Sequence, residues 1–163
     1  MVIQTILFVL GLICLAIALA LVLWPKWSAA VPAFAGLLLL HFSYHIAVRP
    51  RTFVFWGIAT LLTVGLFYLS PKGEPDGHRS SNLYIGFTAM AGGLLGILLA
   101  SRIMVLGVVL GAAMGQLAYS RTPAGKWMLE PSSQFWRYFA AKSLPAIVAV
   151  SIVCIAIMGM VID

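Results

Sequence analysis

Few side chains in this sequence can do chemistry, and most of them lie in or beside long apolar runs. His41-Phe42-Ser43-Tyr44-His45 sets two imidazoles four residues apart, on one face of a helical segment. His41 is expected well inside that segment, where a titratable group is a functional-site hypothesis. A transition metal wants three or four ligands, and no intramembrane Asp, Glu or Cys is placed to complete a set with His41 and His45. Haem needs only one or two histidines, but nothing else here points to haem. Three readings stand: hydrogen-bonded structural histidines, proton or substrate handling, and, as the weakest, metal or haem; no metal and no cofactor is expected. Arg49 and Arg51 follow. Two guanidinium groups at an interface can fork onto a lipid phosphate, or simply anchor the chain with their stems in the apolar layer. Arg102 sits between two glycine-rich runs. It lies deep in the membrane and needs a partner or water if those runs re-enter, and is an interfacial anchor if they span. Gln116 is the amide in the inner part of these runs and can bridge helices.

The four acids, Glu74, Asp76, Glu130 and Asp163, fall in loops or at the end of the chain. No carboxylate pair and no serine constellation accompanies the histidines, so no catalytic residue is assigned and no enzyme is expected.

The glycines carry the strongest pattern. Gly107, Gly111 and Gly115 are spaced by four and share one helix face; Gly92, Gly96 and Ala100 form a similar face on the segment before. A flat glycine face lets a neighbouring backbone approach closely, and packing supplies the association energy in lipid. Within one chain this is a tight helical hairpin. Between chains it is an oligomer interface, or a pore-lining or sliding face.

These residues must be positioned by a chain that is 63% hydrophobic and 9% charged over 163 residues, with a mean hydropathy of +1.07. That is too little polar surface for a water-soluble domain. The expected fold class is all-α: a polytopic helical membrane protein, one integral domain over 1–163. Six apolar segments are read at about 2–24, 29–48, 52–69, 83–100, 103–120 and 143–162, each near the length that crosses roughly 30 Å of hydrocarbon. Segments 4 and 5, at roughly 27 Å, are barely spans, and form a glycine-zipper hairpin that either crosses or re-enters. Segment 1 lacks a basic start and is too long for a signal peptide, so it reads as a retained anchor. Ser70 to Asn82 is an aqueous loop, and 121–142 is a basic, aromatic interfacial stretch. Cys14 and Cys154 lie inside apolar segments and read as small hydrophobes.

The net charge of +6 does not imply nucleic acid here, because the cations flank apolar runs. The loops after segments 1, 3 and 5 carry Lys26, Lys72, Arg79, Arg121, Lys126, Arg137 and Lys142, against Arg49, Arg51 and Arg102 on the other side. The positive-inside rule then places loops 1, 3 and 5 in the cytoplasm and both termini outside.

The order of features is also familiar. Val31-Pro32-Ala33-Phe34-Ala35-Gly36 opens segment 2; the hairpin closes on Leu110-Gly111-Ala112-Ala113-Met114-Gly115-Gln116-Leu117; Arg121-Thr122-Pro123-Ala124-Gly125-Lys126 follows, then a last anchor. This resembles the bacterial glycine-zipper membrane family catalogued as domain of unknown function 456, over most of the chain. The resemblance implies a bacterial inner-membrane protein of this architecture and no agreed activity. Two positions depart from the family's pattern: Ala35 stands where a second proline is usual, and Gln116 where Glu is usual, which removes any role needing a carboxylate there.

Three functions are compatible with these features. The first is a non-enzymatic membrane protein, homo-oligomeric or not, whose glycine hairpin supports passage of a small solute, ion or lipid. The second is an accessory or scaffold subunit that binds another membrane protein through its glycine faces and its Arg121–Lys142 loop. A lipid-modifying enzyme using His41, His45, Arg49 and Arg51 is the weakest. The expected partners are the bilayer, a second copy or another membrane protein.

Overall fold

A computed structural model of the chain describes residues 1–23, 28–44, 46, 48–69, 79–123, 136, 139 and 143–162. The described part is all-α, with helices α1 (Val2–Leu23), α2 (Ala30–Phe42), α3 (Pro50–Leu69), α4 (Arg79–Leu99), α5 (Met104–Ser120) and α6 (Leu144–Ile162). Apolar runs become helices because a helix satisfies every backbone polar group within its own segment. Their ends follow local chemistry. Pro50 opens α3, where its missing N–H costs nothing, and the Thr52 N–H is taken up by the Arg49 carbonyl at 2.9 Å. Among the described residues, α1, α3 and α6 are long and apolar enough to cross a membrane; Ala30–Phe42, Leu83–Leu99 and Met104–Ser120 are shorter apolar helices.

Two hairpins, a central helix and α3 make the bundle. α1 and α2 pack through Gly11 and Gly36: a Cβ on Gly36 would stand 3.0 Å from the Gly11 carbonyl oxygen, and one on Gly11 would stand 2.8 Å from Leu40 Cγ. α4 and α5 form the second hairpin, α1 joins the two by packing on α4, and α3 packs on α2. α6 touches all five other helices. Its Ala149, Ile152 and Ala156 are wholly enclosed.

Glycine contacts also set the relative heights of the helices. Gly86, near the start of α4, faces Val22 and Leu23 at the end of α1. Gly93 faces Val150 and Cys154 halfway along α6, and Gly159, near the end of α6, faces Ile46. The end of α1, the start of α4, the end of α5 and the start of α6 therefore share one end of the bundle. The α2–α3 connection, the α4–α5 tip and the end of α6 share the other.

The segment expected over 29–48 ends its helix at Phe42. The Ser43 N–H still reaches the Leu39 carbonyl at 3.0 Å, and its hydroxyl donates to the Leu40 carbonyl at 2.7 Å. Tyr44 then takes a left-handed conformation, φ 61°, which no helix continues through. His41 thus lies in the last turn of α2 rather than well inside it, and His45 falls outside the described residues. α4 begins earlier than expected, at Arg79, so Ser80, Ser81 and Asn82 join its first turn. Most of the interfacial stretch 121–142 also lies outside the described residues. Trp136, which is exposed, and Phe139 are described, their rings meeting edge-on at 6.2 Å.

Candidate functional site

The α4–α5 hairpin is held backbone to backbone. A Cβ on Gly92 would run into the Gly107 carbonyl oxygen, and one on Gly107 into that of Gly92. One on Gly111 would strike the Thr88 carbonyl oxygen, one on Gly115 the Thr88 hydroxyl, and one on Gly96 would stand 2.7 Å from Met104 Cα. Side chains at these positions would force the helices apart, so the four-residue spacing seen in sequence is spent on contact inside the chain. Thr88 fits because its hydroxyl folds back onto its own helix, donating to the Tyr84 carbonyl at 2.6 Å, with the Ile85 carbonyl at 3.1 Å. The tip is short: Ala100 is extended and Ser101–Ile103 make one 3₁₀ turn. Arg102 is exposed on that turn.

Bringing two glycine faces together leaves a trough along the outside of the hairpin. It is a groove of about 530 Å³ with Gly92, Gly96, Gly107 and Gly111 in its lining, walled by Leu95, Leu99, Leu106, Leu110 and Met114. It runs from Thr88 to Leu99 on α4 and from Ile103 in the tip turn to Met114 on α5, about 16 Å on each side at 1.5 Å per residue. The wall leucines are among the more exposed side chains of the molecule, Leu99 at 76% and Leu110 at 61%.

The polar candidates are distributed between the two ends. Gln116 is fully buried, and its Oε1 accepts a hydrogen bond from the Ser143 hydroxyl at 2.8 Å, tying α5 to the residue before α6. Ser143 is fully buried as well. His41 is at the opposite end. Its Nδ1 lies 3.2 Å from the Ile46 carbonyl oxygen, and its ring meets Phe53 edge-on at 4.8 Å. This contact clamps the turn between α2 and α3. Arg49 and Arg51 are exposed at that same end, as is Arg102. The structure therefore gathers the five glycines, separates His41 from Gln116, and places the three arginines at one end of the bundle. Among the described residues no three of His, Cys, Asp and Glu come together as metal ligands.

Two features escaped sequence reasoning. The Gly11–Gly36 contact carried a signal in the buried spacing Gly11, Leu15, Ala18, Val22. The groove carried none, because it depends on where the second helix lands. Comparison with protein-family models, curated proteins and solved structures found no match for this chain.

Proposed function

We propose that this chain is a non-enzymatic integral membrane protein of the bacterial inner membrane that engages lipid, holding an acyl tail in the groove of its α4–α5 hairpin. On this reading it belongs with the glycine-zipper family it resembles, its loops 1, 3 and 5 are cytoplasmic, and the hairpin crosses the bilayer. The observation that carries the reading is the groove itself, floored by glycine backbone and walled by leucine and methionine. Its length of about 16 Å is half of the roughly 30 Å hydrocarbon layer. That is the depth of one leaflet, a length that suits a lipid tail.

The test is photo-crosslinking in nanodiscs with a phospholipid carrying a diazirine in its tail. Leu95, Leu99, Leu106 and Leu110 are expected to label in excess of Leu61 and Leu62, which are exposed on α3 and sample bulk lipid. A Leu110→Trp variant, which fills the groove, is expected to remove the excess. Equal labelling of the two surfaces sinks the reading. A larger assembly of defined mass whose contacts cover the groove would favour the accessory-subunit or homo-oligomer reading instead.

A further inference from the structure

We infer that Arg102 holds the phosphate of the lipid whose tail lies in the groove, which makes the ligand a phospholipid rather than a neutral lipid. The inference rests on the groove reading above. Three observations converge on Arg102.

The first is position. The groove ends at Leu99 and Ile103, and these two residues flank Arg102 in the tip of the hairpin. A tail lying in the groove with its free end toward Thr88 brings its headgroup to this turn.

The second is depth. α4 rises from Gly93, which faces Val150 and Cys154, to the tip, while α6 rises from that same level to Gly159, which faces Ile46. Both climbs are about 10 Å. The tip is thus level with the α2–α3 turn, where Arg49 and Arg51 are exposed and where Tyr44 is 86% exposed. Cations and tyrosine at one height mark the headgroup layer, so Arg102 stands where phosphates are.

The third is chemistry. A guanidinium offers a planar fork of donors that matches phosphate, and Arg102 is exposed. No Asp or Glu occurs between Asp76 and Glu130 in the sequence, so neither helix of the hairpin carries a competing carboxylate.

The experiment compares two photoactivatable probes with the same diazirine tail, a phosphatidylglycerol and a diacylglycerol, in phosphatidylcholine nanodiscs. The native chain is expected to label the groove about tenfold more with the phosphatidylglycerol, as one charge-assisted hydrogen bond allows. Arg102→Gln is expected to bring the two yields together, the diacylglycerol yield rising because the phosphatidylcholine of the disc loses the same phosphate contact. Arg102→Lys keeps the charge without the fork and is expected to restore part of the difference. Thermal melting of each variant confirms that it is folded. If Arg102→Gln keeps the preference while Leu110→Trp still abolishes labelling, the groove takes a tail but Arg102 does not hold its phosphate. If Leu110→Trp leaves labelling untouched, the groove reading falls and this inference falls with it.

Discussion

At the residue scale, several buried polar groups among the described residues hold structure, while the buried hydroxyls of Ser28 and Ser151 find no hydrogen-bond partner. The Ser143 hydroxyl donates to Gln116 Oε1 at 2.8 Å in a fully enclosed site. Thr60, Thr63 and Thr88 all turn their hydroxyls back onto carbonyls of their own helices. Such self-satisfied hydroxyls let apolar helices carry threonine without needing a partner. The Gln116–Ser143 bond is different because it joins two elements. A double-mutant cycle with Gln116→Leu and Ser143→Ala, read from unfolding in mixed micelles, is expected to give a coupling of about 0.6 kcal/mol. A coupling indistinguishable from zero would mean that the bond does not tie α5 to the start of α6. His41 likewise makes local contacts, with the Ile46 carbonyl and the Phe53 ring.

At the element scale, glycine does the work that leucine does in a soluble bundle. Lipid tails are as apolar as the helices, so helix association depends on close packing rather than on expelling water. The distinction between glycines is sharp. Gly111 sits against the backbone of Thr88, whereas an added Cβ at Gly65 would meet nothing within 4 Å. Gly111→Leu is therefore expected to cost about 3 kcal/mol or more, beyond ordinary overpacking because the obstacle is main chain. Gly65→Leu is expected to be close to neutral in the same unfolding assay. Comparable losses at the two sites would show that close approach to the Thr88 backbone does not set the cost at Gly111, since helix propensity favours leucine over glycine at both.

At the scale of the whole molecule, the bundle is organised around α6, the helix that touches all the others. The register of Gly86, Gly93 and Gly159 puts the α4–α5 tip at the same end as Tyr44 and Ile46. The spanning hairpin proposed above makes a direct prediction. In a background with Cys14 and Cys154 replaced, single cysteines at Tyr44 and Arg102 are expected to react with an impermeant maleimide from the same side of a sealed membrane. One at Thr122 is expected to react only from the other side. Labelling of Arg102 from the side that labels Thr122 would establish a re-entrant hairpin.

The sequence by itself determined that the chain is all-α and built of apolar helices, and the rough extent of those helices. Length and composition of an apolar run suffice for that, since the backbone in such a run has no partner but itself. Glycine spacing likewise marked the α4–α5 face, because a four-residue period puts residues on one side of any helix. What tertiary structure decided was everything that depends on a second element. Only the landing of α5 on α4 creates the leucine-walled groove. Only the turn at Tyr44 moves His41 from the middle of a segment to its end, where it meets Ile46 across five residues of chain. Only the register against α6 brings the hairpin tip level with the α2–α3 turn. Helix formation is local in sequence and can be read along the chain; heights, clefts and neighbours are set by how side chains interlock across it.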